Sequence, residues 1–458
     1  MELKDLFLTP LYLGIFYGIA FALRKRYTNA ITRKYFIPAL TVKFIGAIGL
    51  GLIYQFYYGG GDTFNYFSHV KIVHEAFGNS FGTGLKLLMA QTPPDGDMLR
   101  YTVRMYWYES PTEYFIVQVA SVFSLLCFNS YAVIGLCFAF LSFCGMWAMY
   151  VTFLRIYPLA YKKLAIAVFF LPSVFFWGSG LMKDSLCMGA LGWTFYGFYH
   201  FFIAKKNLTT AALLGGLGAY ILISVKVYIL LSFMPAALIW VFTENNRRIK
   251  SAALRTLLKP VFLGLGVVAG YIGATNLTAG DEKYDVDKLG ERARITHTYL
   301  STYVASGSVY DIGEFDGSLG STLKVAPQAV VVSIFRPFLF EVRNPVMLLS
   351  AIEATMFIWL TLSLFYRAGF VKGMSTIIGT PILSFSFLFA IVFAIGVGIN
   401  SGNFGTLVRY KIPLMPFYLS ALYIMQHMQV VKAGAKRGTS RSAQLNRPKK
   451  LGRLATTE

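Results

Sequence analysis

Long apolar runs alternate with short basic turns over most of this chain, and that pattern predicts its elements. A helix needs about 20 mostly apolar residues to cross a bilayer. Residues 6–23 approach that length and end on Arg24, Lys25 and Arg26, with Arg33 and Lys34 close behind. Basic residues concentrate in cytoplasmic loops, so the first loop is expected inside, the N-terminus outside, and the run at 36–58 directed outward. The stretch 59–111 mixes Gly, Pro and charges and is too long for a turn, so short interfacial helices are expected there. The run at 113–128 is short, whereas 131–153 is a full span. If both crossed, Arg155, Lys162 and Lys163 would fall outside. A re-entrant or surface helix at 113–128 instead puts every later basic cluster inside, and that solution is adopted.

Further spans are then expected at 164–178, 185–204, 208–225, 228–242 and 260–276. A second polar loop follows at 277–324, then a mixed stretch at 325–340, interrupted by Pro327, Arg336 and Pro337, that reads as interfacial. Spans at 347–366, 375–397 and 412–428 complete an all-α polytopic membrane protein. It has about 11 transmembrane helices, with interfacial helices in two large outer loops, 59–112 and 277–344. Residues 1–430 read as one transmembrane domain, and 431–458 as a basic, disordered cytoplasmic tail.

Composition supports the membrane reading: 56% of residues are hydrophobic and 14% charged, where soluble domains carry roughly 25% charged. The net charge of +21 would point to nucleic acid in a soluble protein. Here the cations belong to the cytoplasmic side, and no nucleic-acid partner is expected. The tail residues Lys432, Lys436, Arg437, Arg441, Arg447, Lys449, Lys450 and Arg453 suit an anchor on anionic membrane lipids. Cys127, Cys137, Cys144 and Cys187 all fall in apolar stretches, so neither a disulfide framework nor a zinc site is indicated. Acidic residues precede the first apolar run, and no cleavable signal is expected. No internal repeat is visible, which disfavours a transporter built from inverted halves.

The candidate chemistry collects on the expected outer face. Gly59-Gly60-Gly61-Asp62 presents a carboxylate behind a glycine triplet at the mouth of a membrane helix. Asp62 is either a general base or cation ligand, or the cap of the next helix. Lys183 and Asp184 lie in a tight outward turn, Lys226 in the next one, Arg336 on the interfacial stretch, and Arg409 just before the last span. Lys183 and Asp184 could equally be a local ion pair at a helix start, and Lys226 and Arg336 could snorkel to headgroups. Carboxylates and cations together at a lipid boundary suit a sugar hydroxyl and a lipid-linked phosphate leaving group. A base would take the hydroxyl proton, and Arg or Lys would hold the phosphate oxygens. Tyr66, Tyr106, Trp107 and Tyr108 offer rings for sugars. Glu353 lies inside a span, either functional or paired with a neighbouring helix, and Lys43 is another polar residue at membrane depth. His69 and His74 are not spaced as a helical metal pair. No Walker, GxGxxG or HExxH motif is present. No cofactor or metal is assigned, although a divalent ion would be compatible with the carboxylates.

The order of elements at Asp62-Thr63-Phe64-Asn65-Tyr66 resembles the GT-C superfamily of integral-membrane glycosyltransferases. Those enzymes carry a catalytic acid in the first large outer loop, often with a tyrosine a few positions on, and interfacial helices before the next span. Residues 172–184 and 403–416 also look similar to membrane proteins of bacterial surface-polysaccharide clusters, including exopolysaccharide and O-antigen polymerases. The chain has one acid where many relatives have an Asp-Glu pair. The resemblance implies a transferase or polymerase in a bacterial inner membrane, using a polyprenyl-phosphate- or pyrophosphate-linked sugar donor and a glycan or lipid acceptor. Asp62 and Asp184 would be catalytic, and Tyr66, Lys183, Lys226, Arg336 and Arg409 would bind substrate. Two other classes stay open: a transporter or flippase for a lipid-linked glycan or anion, and a non-catalytic envelope scaffold.

Overall fold

The computed structural model describes residues 2–246, 309–313, 315–316 and 318–445, with fragments at 291, 294–296 and 298–299. The expected span at 260–276, most of the loop at 277–324 and the end of the tail at 446–458 lie outside the described residues. Among the described residues, six helices are long and apolar enough to cross a membrane. These are α1 (Leu3–Tyr27), α2 (Arg33–Phe56), α7 (Tyr131–Ile156), α11 (Leu208–Asn246), α13 (Pro345–Ala368) and α15 (Pro381–Asn400). Between them stand shorter helices: α3 (Asp62–Asn79), α4 (Phe81–Leu88), α5 (Gly96–Thr102), α6 (Pro111–Leu126), α8 (Tyr161–Phe169), α9 (Pro172–Trp177) and α10 (Lys183–Phe198). After α11 come α12 (Leu319–Phe335), α14 (Phe370–Gly379), α16 (Phe404–Tyr410) and α17 (Met415–Leu445). The protein is a helical membrane protein.

Several elements differ from the sequence expectation, each for a local reason. The run at 164–178 is broken, because Leu171 precedes Pro172, and a residue before proline is pushed out of the helical region. Helix α11 merges two expected spans, with Lys226 at φ −146°, ψ 73° between them. Gly215 packs on Gly197, while Phe233 and Trp240 pack on Phe198. On a straight helix Gly215 and Trp240 would stand about 37 Å apart, so the chain must reverse at Lys226. The stretch at 325–340, read as interfacial, contributes to α12, whose Ala329 and Val332 are fully buried. Helix α17 continues to Leu445, so the first part of the tail is helical where composition predicts no order.

Helix α6 is tied to neighbouring elements at both ends. Glu113 in its first turn is tied to Lys183 at the start of α10. The Leu126 carbonyl at its other end accepts from the Tyr12 hydroxyl, and Ser130, four residues on, donates to Asp5 near the start of α1. Both ends therefore sit at one end of the bundle, and α6 lies across that end. The opposite end gathers Arg24, Lys25 and Arg26 at the finish of α1, Arg33 and Lys34 at the start of α2, and Arg155 at the finish of α7.

The centre of the bundle is α10 between α7 and α11. A Cβ on Gly192 would lie 2.0 Å from the Gly145 carbonyl oxygen, and one on Gly145 1.9 Å from that of Gly189. Small residues let apolar helices approach to backbone contact where lipid supplies no hydrophobic drive between them. Gly192→Ala is expected to push α7 from α10 and cost about 1–3 kcal/mol, read as a lowered unfolding midpoint in detergent. An unchanged midpoint would mean that the helices are not this close.

Candidate functional site

The site forms where the two glycine-bearing turns meet the last helix pair. Gly59, Gly60 and Gly61 have φ of +70°, +146° and +121°, a region open to glycine and costly for other residues. A Cβ on Gly61 would also lie 2.8 Å from the Tyr54 ring. The triplet turns the chain sharply off α2, so that Asp62 becomes the first residue of α3. The cap position belongs to Gly61, and the Asp62 carboxylate is directed elsewhere. The second turn, 178–182, leads from α9 into α10. Gly180 has φ +78° and lies against Ala47 and Leu50 of α2. The buried Lys43 ammonium donates to the Gly178 carbonyl at 2.7 Å and to Ser142 Oγ at 3.1 Å.

Four expected residues meet in an alternating chain of charges. Arg409 Nη1 donates to Asp62 Oδ2 at 2.7 Å and its Nε to Asp184 Oδ2 at 2.6 Å. Lys226 Nζ takes the other Asp184 oxygen at 2.5 Å. The Lys226 ammonium also lies 4.8 Å from the centre of the Tyr410 ring, a cation–π distance. Side-chain exposure falls from 45% at Asp62 to 14% at Arg409, 8% at Lys226 and 2% at Asp184. The chain thus runs from an accessible carboxylate at the mouth to a buried one held by two cations.

Lys183 and Asp184 do not form a local pair. Neighbours in a helix do not face each other, and Lys183 turns to Glu113 and, at 3.3 Å, to Thr112 Oγ1. Glu113 is the residue that sequence reasoning passed over, since it stood only as the edge of an apolar run. Its proximity to the turn at 183–184 is a long-range product of the fold. Burial alone would raise the Glu113 pKa, but Lys183 and the hydroxyls of Ser110 and Thr112 prevail and hold it down to about 2. The sign follows: a carboxylate depressed on folding contributes stability above its ordinary value of 4.5 and loses it as pH falls toward about 2. Glu113→Gln is expected to flatten the dependence of unfolding temperature on pH across that window. An acid limb as steep as in the parent protein would count against the pairing.

The remaining expected residues lie nearby but outside the chain. Arg336 caps α12, pairs with Glu341 and places its guanidinium 5.1 Å from the Phe404 ring at the start of α16. Lys411 Nζ donates to the Arg336 carbonyl at 2.9 Å. Tyr66 is 2% exposed with its ring 4.6 Å from that of Trp107, so it supports the loop and offers no free face for stacking. Tyr106 keeps 63% exposure and does offer one. His69 is buried against Tyr106 and Trp107 with neither ring nitrogen hydrogen-bonded, and burial pushes its pKa to about 4. Glu353 is paired across helices: it accepts from the Ser173 amide at 2.8 Å and from the Ser173 hydroxyl. Among the described residues no cluster of three or more His, Cys, Asp or Glu is arranged to hold a metal ion.

A cleft lined by Tyr58, Trp177, Asn344, Met347, Phe404, Gly405 and Val408 opens beside the charged chain. Tyr58 stands four residues before Asp62, and Phe404, Gly405 and Val408 belong to the helix that carries Arg409, while Asn344 and Met347 come from the start of α13. No family model, curated protein or solved structure matches the chain. The geometry of its own residues therefore carries the functional argument.

Proposed function

We propose that this chain is a membrane glycosyltransferase or polysaccharide polymerase acting on the outer face of a bacterial inner membrane. In this reading it has about 11 spans, with the N-terminus outside and the C-terminus cytoplasmic, in keeping with the basic residues at 24–26, 33–34 and 155 at the bundle end remote from Asp62. The donor is a sugar on polyprenyl phosphate or pyrophosphate, and the acceptor a glycan or lipid hydroxyl. The observation that carries the proposal is the chain Asp62–Arg409–Asp184–Lys226, exposed at Asp62 and buried at Asp184 and Lys226. Asp62 takes the proton of the acceptor hydroxyl. Arg409, fixed by Asp184, meets the phosphate oxygens as the sugar–phosphate bond breaks and charge develops there. Lys226 keeps the buried Asp184 ionised so that Arg409 stays aimed. Lys183 and Arg336 stand at the rim, each paired with its own carboxylate, Glu113 and Glu341.

A transporter would need polar groups free along the bundle interior. Lys43 and Glu353 are bound to the chain around them, which favours the transferase. The test is removal of the gene and analysis of lipid-linked glycans by leaflet. Precursor accumulating on the outer leaflet supports transfer there, with shortened chains marking a polymerase and a missing sugar a single-addition enzyme. Accumulation on the inner leaflet would move the assignment to a flippase, and unchanged precursors to a scaffold.

A further inference from the structure

In the structure Arg409 is occupied from both sides, by Asp62 at 2.7 Å and by Asp184 at 2.6 Å. Of the five guanidinium N–H donors these bonds use Nε and one on Nη1; an anion bound at two points through Nη1 and Nη2 competes with Asp62, and one bound through Nε and Nη2 competes with Asp184. The two carboxylates differ in what release would entail. Asp184 is 2% exposed and shared with Lys226, so freeing it from Arg409 would strand charge in a dry site. Asp62 is 45% exposed and follows a glycine triplet, of which Gly59 and Gly60 face open space. Water can take over its solvation, and the backbone there can turn at little steric cost.

We infer that Asp62 is a built-in competitor for the anion site: its carboxylate occupies Arg409 until a phosphate-bearing ligand takes the Nη1 position, and only then is Asp62 released toward the acceptor hydroxyl. This rests on the proposed function and adds an order to it, with the anionic donor binding first and the base unmasked by that binding. A donor-free enzyme would then hold its base tied to Arg409, which suppresses proton abstraction from a hydroxyl that has no sugar to receive.

The measurement is binding of inorganic pyrophosphate to the full-length protein in nanodiscs, for the parent, Asp62→Asn, Arg409→Gln and the double variant. Removing an exposed competing ion pair should tighten binding about fivefold in Asp62→Asn, and the gain should vanish in the Arg409→Gln background. A gain that persists without Arg409 would reduce the effect to general charge repulsion and overturn the competition. Equal or weaker binding by Asp62→Asn, with the parent still binding, would overturn it too while leaving the functional reading in place. Absence of binding by both parent and Asp62→Asn would remove the anion site and the functional reading together. Because Arg409→Gln perturbs a buried pair, Arg409→Lys is measured beside it: it keeps the charge and loses the fork, and the gain should shrink there as well.

Discussion

Asp62→Asn is expected to lower glycosyl transfer by a factor of about 10²–10⁴, the range for loss of a general base, with normal insertion and thermal stability. The substitution is isosteric, and Asp62 is the most exposed member of the charged chain. Its ion pair with Arg409 is partly solvated, so the stability contribution is at most about 1 kcal/mol. Asp184 continues to hold Arg409 from the other side. Activity and stability should therefore separate at this position. The assay is transfer from a lipid-linked donor in membranes, with protein level and unfolding midpoint recorded for the same preparations. Retention of full activity would remove the base and with it the centre of the proposed mechanism.

Asp184→Ala should behave in the opposite way, with a large loss of stability. Asp184 is the common partner of Lys226 and Arg409. Deleting it leaves two buried cations facing each other, and breaking a buried pair from one side costs about 3–5 kcal/mol. The double replacement Asp184→Leu with Lys226→Met removes both members of the deepest pair. Such apolar replacements of buried pairs are often neutral, so most of the stability should return. Transfer should stay low in the double variant, because Arg409 is no longer held from below. Chemical denaturation in mild detergent gives the first quantity and the transfer assay the second. A stable Asp184→Ala would show that the pair is not confined as drawn, and an active double variant would show that Arg409 needs no second anchor.

The contrast between these two carboxylates bears on how the site is read. Both stand near helix starts and both were legible as candidates from their place beside glycine-bearing turns. Their exposure was not legible, and exposure decides their roles: 45% at Asp62 against 2% at Asp184. Lys226 follows the same logic. Its position between two apolar runs marked it as a turn residue, and the snorkelling alternative was open. The closed hairpin of α11 instead places it under Asp184.

What the sequence determined by itself is the set of properties that act locally along the chain. Apolar length marked six long helices among the described residues, the basic residues at 24–26, 33–34 and 155 marked the end opposite the site, and Gly59-Gly60-Gly61 marked a sharp turn before Asp62. Proline at 172 gives a further local break, visible once its neighbour's restricted backbone is considered. Tertiary structure alone decided the pairings. Arg409 meets Asp62 across 347 residues and Asp184 across 225, while Lys183 meets Glu113 across 70. Adjacent residues on a helix point about 100° apart, so Lys183 and Asp184 had to find different partners. Which partners they found depended on how α6, α11 and α16 close over the start of α10, a matter of packing that no local pattern encodes.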